Sequence, residues 1–397
     1  MGYSFHKYWG QTDISTIQSY INLRNNYGVP LWMGESGENS NHWYYEVFKL
    51  LEENNIGWNF WTHKKVDKIT SPYSALVTPQ YQVIIDYLRG VAGQPDPNIA
   101  GMGLTSFANS LKIENCITRP GVIASLTDPD YGEISKPYAS HSIPGTIPAA
   151  YYDIGARGLS YSDSDYWNDG DGGYNDGWVF RNDGVDVEGS DDDPNIPYTV
   201  GWTEAGEWLG YTIEDVLPGT YDVSFSISAP NAGGIFYAQL SGQNLGVIDV
   251  PSTGGWYNWE DIPSQRIEIT EGEKFLKIQI VQAGFNIQSV TFDQVLSIDN
   301  QNLHPDSFFL GKPYPNPFNP SVEMNLLVNN SGTYQVNIHN IKGELINSWD
   351  VIFTQKGNHN IKWNAMNDSG SLVPSGVFFI SVTNQNKSEQ RKVLLLR

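Results

Sequence analysis

The chain has 397 residues, enough for roughly two to four domains that each bury a core. Its 23 Lys and Arg against 44 Asp and Glu leave a formal charge of −21, which repels nucleic acid and anionic membrane surfaces. The single cysteine, Cys116, excludes an intramolecular disulfide and a cysteine-based zinc site. No run of about 18 apolar residues occurs, so no transmembrane helix is expected. With 39 Gly and 22 Pro, the composition suggests many short strands and turns. Its 13 Trp and 23 Tyr suit either β cores or ligands that present a flat apolar face rimmed by hydroxyls.

The first 92 residues alternate between strand and helix patterns. Aromatic residues over 2–8 read as a short strand. Ile14, Ile17, Ile21 and Leu23 give 14–27 a helical period, with Asp13 placed as its N-cap. Further strands are expected over 30–34 and 56–61, and further helices over 44–54 and 80–88. Such alternation without hairpin turns implies parallel strands joined by crossover helices. Three units are too few to close an eight-unit barrel, which takes about 250 residues. Residues 93–142, rich in Pro and Gly, read as an irregular connector or as trailing elements of the first domain.

From residue 143 the period falls to two. Strands are expected over 208–213, 219–228, 236–240, 246–250, 266–269, 275–281 and 288–295, a spacing that indicates an antiparallel β-sandwich over 143–297. A polar linker follows at 298–308. Residues 309–397 read as another all-β unit, with strands near 322–328, 333–339, 357–364, 376–384 and 390–396.

Polar groups stand at the ends of the three expected parallel strands. They are His6 and Tyr8, then Glu35 in Trp32-Met33-Gly34-Glu35, then Trp61 in Trp58-Asn59-Phe60-Trp61. Parallel α/β barrels build their active sites at that rim. The plainer reading is that Glu35 caps the next helix and Trp61 packs. Together, however, the strand ends resemble the last part of a family 5 glycoside hydrolase, a cellulase-like (β/α)8 TIM barrel. That resemblance implies a partial barrel made of the last three βα units. It implies Glu35 as the nucleophile of a retaining mechanism, His6 and Tyr8 as groups on the nucleophile and substrate, and Trp61 as the platform under the sugar.

A retaining mechanism also needs a protonated carboxyl about 5–5.5 Å from the nucleophile. The resemblance places it in an Asn-Glu pair at an earlier strand end, and no such strand occurs here. Glu38, three residues past Glu35, falls where a helix N-terminus favours its charge. The first residues carry neither the charged nor the apolar region of a signal peptide, and the chain opens inside a strand. The expectation is therefore a carboxy-terminal portion of a longer enzyme, inactive alone.

The sandwich carries Gly184-Val185-Asp186-Val187-Glu188, Val200-Gly201-Trp202-Thr203-Glu204, Gly254-Gly255-Trp256-Tyr257-Asn258-Trp259 and Gly284-Phe285-Asn286. In these blocks it resembles a family 6 carbohydrate-binding module with a jelly-roll fold. The resemblance implies a sugar clamped between Trp202 and either Trp259 or Trp256, with Asn286 as polar anchor. On a strand, residues three apart face opposite ways, so only one of Trp256 and Trp259 should line the cleft. Trp208, inside an apolar strand, reads as core. Asp191-Asp192-Asp193 reads as a solvated loop or a calcium ligand. The resemblance further implies a structural calcium, with Asp293 as one ligand and Ala150 where a glutamate is expected.

The last unit contains Tyr314-Pro315-Asn316-Pro317-Phe318-Asn319-Pro320, Asn340-Ile341-Lys342-Gly343-Glu344 and Pro374-Ser375-Gly376. It resembles the Ig-like carboxy-terminal sorting domain of type IX secretion substrates, which implies a secreted or surface protein that meets that machinery. The leading expectation is thus a secreted modular glycoside hydrolase acting on β-glucan, cellulose, xylan or mannan, with no cofactor for catalysis. The alternative is a non-catalytic, surface-displayed carbohydrate-binding protein. A purely structural adhesin accounts for the sandwiches but leaves Glu35 and Trp61 at their strand ends without a role.

Overall fold

The computed structural model describes residues 2–170, 173–190, 192–295, 308–384 and 387–396. They fall into two compact units that divide after Val295.

The first unit opens with β1 (Tyr3–His6), α1 (Gln18–Tyr27), β2 (Leu31–Glu35), α2 (Asn41–Glu53) and β3 (Gly57–Trp58). The strands pair in parallel in the order β1-β2-β3, with His6 opposite Glu35. Trp43, Tyr44, Val47, Phe48 and Leu51 of α2 pack with Phe5, Leu31 and Met33 of the sheet, as their three-to-four spacing dictates. The third strand is shorter than the 56–61 expected. Its chain still follows β2, through Asn59 N–H to the Met33 carbonyl and Trp61 N–H to the Ser36 carbonyl, but the regular ladder ends at Trp58.

The short strands β4 (Lys64–Val66) and β5 (Tyr73–Ala75) precede α3 (Pro79–Leu88). Residues 93–142 are not an irregular connector. They form α4 (Pro97–Ser110), β6 (Ile117–Thr118) and α5 (Pro120–Thr127). Proline opens both helices at a position where its missing N–H is harmless, so residues read as breakers are starters. Helix α4 lies on α3, with Tyr81 stacked on Phe107 at 4.2 Å, and α5 sends Val122 into the core beside α2.

The β-rich part follows. Its strands are β7 (Ser142–Ile143), β8 (Gly145–Pro148), β9 (Tyr161–Ser162), β10 (Val187–Gly189), β11 (Tyr198–Val200), β12 (Trp208–Ile213), β13 (Asp215–Val216) and β14 (Gly219–Ala229). They continue as β15 (Ile235–Leu240), β16 (Gln243–Asp249), β17 (Gly255–Pro263), β18 (Ile267–Ile269), β19 (Lys274–Gln282) and β20 (Asn286–Gln294). One sheet runs β10-β11-β20-β14-β17, with β8 on β20 and β18 on β14; the other runs β16-β15-β19-β12-β9. Alternate residues of β14 and β20, such as Phe225, Ile227, Val290 and Phe292, meet Leu209, Tyr211, Phe236 and Ile278 of the facing sheet. Trp208 is not core. It is half-buried outside that cluster, under the Lys277 ammonium 4.1 Å from its ring centroid.

The boundary expected at 143 is not a break in packing, because a polar junction joins the sandwich to α2. Asn41 Nδ2 donates to Asp183 Oδ1 (2.5 Å), and Asn182 Nδ2 donates to the Asn39 carbonyl (2.7 Å). Asp183 in turn accepts from Arg181 Nε (2.7 Å), whose guanidinium lies 3.6 Å from the Tyr152 ring centroid.

The second unit pairs β21 (Phe308–Leu310), β22 (Val322–Val328) and β25 (Gly357–Trp363) in one sheet. Its other sheet is β24 (Leu345–Phe353), β23 (Gly332–Asn340), β26 (Gly376–Thr383) and β27 (Ser388–Leu395), packed over Val336, Ile338, Trp363 and Ile380. The linker expected over 298–308 lies outside the described residues except Phe308, which opens a strand. Among the described residues no helix is long and apolar enough to cross a membrane.

Candidate functional site

Two places bring sequence-selected residues together. The first is at the start of β20. Asn286 is only 4% exposed, and its Nδ2 donates to Glu188 Oε1 (3.1 Å) and to the Trp256 carbonyl (3.2 Å). The other Glu188 oxygen accepts from the Tyr257 hydroxyl (3.0 Å), and this bond raises the tyrosine's pKa because ionisation would set two negative charges side by side.

Gly201 lies against the same amide. A Cβ there would lie 2.9 Å from Asn286 Oδ1, so glycine lets the backbone just before Trp202 pass close to the amide. Trp202 has a φ of 45°, a left-handed conformation that for a non-glycine residue costs about 1–3 kcal/mol. Its indole is 48% exposed, and that of Trp256 is 46% exposed. Asn286 is thus a buried amide in contact with two chain segments that each carry a half-exposed tryptophan.

Trp259 has a partner of its own. Strand alternation puts it on the Tyr257 side, and its Nε1 donates to Asp192 Oδ2 (2.8 Å). Of the two tryptophans, Trp256 is the one whose carbonyl bonds Asn286. Glu188 and Tyr257 carry no assignment from sequence, although both lie inside the blocks quoted for the resemblance. Nothing local in those blocks marks a glutamate as the partner of an amide 98 residues away.

Calcium does not fit at Asp293. That side chain is exposed and pairs in register with Asp222, whose carboxylate is held by Arg266 at 2.7 and 2.8 Å. Ala150 is buried and brings no side-chain oxygen. Among the described residues no three acidic, histidine or cysteine side chains are arranged to hold a metal ion, and calcium takes about six to eight oxygens. Asp191 lies outside the described residues, and Asp193 caps its own loop through Asn195 N–H.

The second place is the end of the parallel sheet. The Tyr8 hydroxyl donates to Glu35 Oε2 (2.8 Å), and His6 Nδ1 lies 3.6 Å from the same oxygen. Burial, then the carboxylate beside it, pushes the Tyr8 pKa well up, so the phenol stays a donor across the ordinary pH range. Trp61 is 51% exposed and follows β3 on the other side of Glu35. Glu38 turns away into an ion pair with Lys65 (2.9 Å).

Residues 179–294 match the family model for carbohydrate binding module (family 6), and residues 319–388 match the FlgD Ig-like domain. A curated relative, the clotting factor G alpha subunit of Tachypleus tridentatus, is 31% identical over 100 residues, which is 24% of this chain and 15% of that protein. Among solved structures, the C-terminal CBM6 of LamC, a marine laminarinase from Zobellia galactanivorans, is 24% identical. The match covers 38% of this chain and 98% of that one, with a TM-score of 0.29. A carbohydrate-binding module from Cellvibrio mixtus lichenase 5A, solved with cellotriose, is 21% identical over 38% of this chain and 98% of its own, with a TM-score of 0.28. The chain therefore contains a family 6 carbohydrate-binding module and an Ig-like domain.

Proposed function

We propose that the module retains a β-linked glucan or xylan between Trp202 and Trp256, with Asn286 as the polar anchor. One observation carries this reading: a buried amide bonded to the Trp256 carbonyl and lying against Gly201, with Trp256 and the adjoining Trp202 both half-exposed. A β-linked pyranose offers flat C–H faces to the indoles and equatorial hydroxyls to an amide or carboxylate. Each aromatic stack contributes about 0.5–1.5 kcal/mol, so one ring binds weakly and a polymer engaging neighbouring sites is retained. Affinity electrophoresis against β-glucan, xylan and cellulose tests it. Retardation lost in Trp202→Ala and Asn286→Ala supports the site, and unchanged mobility in both moves it elsewhere on the sandwich.

A second reading draws on Glu35 with Tyr8 and His6: the parallel segment belongs to a retaining glycoside hydrolase. In that chemistry Glu35 attacks the anomeric carbon, Tyr8 holds the carboxylate in line, and Trp61 supports the sugar. The proton donor the mechanism needs is not among the groups bonded to Glu35 in the described residues, and Glu38 is committed to Lys65. For the Ig-like unit, the proline-rich lead-in and closing strand favour a sorting address read by type IX machinery, hence a secreted or surface location. A fusion of residues 309–397 to a reporter, assayed for export by a host that has that machinery, tests this.

A further inference from the structure

We propose that Trp9, backed by the sandwich's own residues 168–170, is a sugar-stacking platform on the flank of Glu35 opposite Trp61. The inference rests on reading the strand-end cleft as a sugar site. It extends that site across both parts of the first unit.

Strand β2 is central in the three-stranded sheet, and Glu35 ends it. The chain leaving β1 stays beside it, with Lys7 N–H on the Glu35 carbonyl (3.2 Å) and Tyr8 on the carboxylate, and the next residue is Trp9. The chain leaving β3 does the same on the other side, ending with Trp61 N–H on the Ser36 carbonyl (2.6 Å). Two strand spacings separate these flanks, about 10 Å, comparable with the length of a disaccharide. Trp9 is 56% exposed and its ring centroid lies 6.0 Å from that of Tyr8, so the chain on each side of the β2 end carries an exposed tryptophan.

Trp9 is held from behind by the sandwich. A Cβ on Gly170 would lie 3.7–3.9 Å from Cδ1, Cγ and Nε1 of the indole, so the Gly170 backbone lies close to the five-membered ring. Gly170 is itself fixed by its N–H to Asn168 Oδ1 (2.9 Å). Asn168 is docked by the fully buried Asn39, whose side-chain amide exchanges two hydrogen bonds with the Asn168 backbone, both 2.9 Å. The same Asn39 nitrogen donates to the Tyr8 carbonyl (3.0 Å). One buried amide therefore ties the sandwich segment to the residue that holds Glu35. This rim is built, and an apolar plane left open in it matches the C–H face of a pyranose.

The test uses the full chain with the sandwich cleft disabled by Trp202→Ala and Asn286→Ala. Cellohexaose and laminarihexaose are titrated by tryptophan fluorescence, and amide hydrogen exchange is followed at saturation. Residual binding should fall about fivefold on adding Trp9→Ala, in line with one aromatic stack, and return with Trp9→Tyr. Peptides covering 7–10 and 166–170 should exchange more slowly with sugar bound. If Trp61→Ala weakens residual binding and Trp9→Ala does not, this proposal falls while the strand-end reading stands. Trp9-dependent binding without protection at 166–170 overturns the sandwich's part in it. Absence of residual binding at millimolar hexaose overturns both.

Discussion

Asn286 and Glu188 meet at 3.1 Å from strands 98 residues apart, and the Trp256 carbonyl shares the same amide nitrogen. Since Tyr257 takes the second Glu188 oxygen, the carboxylate is braced from two sides. Glu188→Gln keeps the shape but lacks the charge and offers one acceptor oxygen in place of two. Sugar affinity should drop severalfold in this variant while the thermal midpoint changes little, as titration calorimetry and a melting curve would record. Unaltered affinity would show that the carboxylate only scaffolds the strand pair.

The two tryptophans of β17 should behave differently. Trp256 adjoins the Asn286 amide, whereas Trp259 is engaged with Asp192. Trp256→Ala should weaken retention on a β-glucan gel by about two- to tenfold, the value of one stack, and Trp259→Ala should leave most of it. The reverse order would relocate the clamp onto the Tyr257 side of the strand.

Much of this was legible in the sequence, for identifiable reasons. His6, Tyr8 and Glu35 could be grouped because a parallel strand pattern puts strand ends on one rim, and the structure sets all three within bonding range or close to it. Strand β17 was not legible, because as a sheet edge its Trp256, Tyr257 and Asn258 are exposed on both faces and show no alternation. Helices α4 and α5 were hidden by prolines that start them. The junction of Asn39, Asn41 and Asn182 had no signal at all, since loop asparagines reveal nothing of partners 129–143 residues away.

That junction has a measurable energy. Asn182 donates to the Asn39 carbonyl and to Asn41 Oδ1 and accepts from the Tyr174 hydroxyl, all buried. Asn182→Ala strands these groups, and stability of the first unit should fall by about 1–3 kcal/mol in chemical denaturation. A change inside experimental error would mean that water replaces the asparagine without loss.

Stability should also depend on pH in a defined direction. Burial raises Asp163 to about 9, with the nearby Glu207 charge adding to it, and raises Asp186 to about 8. Unfolded aspartates titrate near pH 3.9, so the folded state holds extra protons between about pH 4 and pH 9. The associated stability is complete below the unfolded value and is lost as pH rises through the folded ones. The thermal midpoint should decline from pH 5 to pH 9, and Asp163→Asn with Asp186→Asn should flatten that decline. Parallel curves for parent and variant would contradict the assignment.

On the catalytic side, the full chain should release no aryl alcohol from aryl β-glucosides or β-cellobiosides, because Glu38, the acidic side chain that follows Glu35 in the chain, is held in an ion pair with Lys65 and is a poor proton donor. Turnover that vanishes in Glu35→Gln would mean that a second acid reaches the site.

The most direct test of the sugar clamp is calorimetric titration of the full chain with laminarihexaose, cellohexaose and xylohexaose, beside Trp202→Ala and Asn286→Ala. Saturable binding of at least one hexaose by the parent is expected, weakened at least severalfold in either variant toward the residual binding of the strand-end cleft, with both variants melting as folded proteins. Equal affinities in parent and both variants would contradict it.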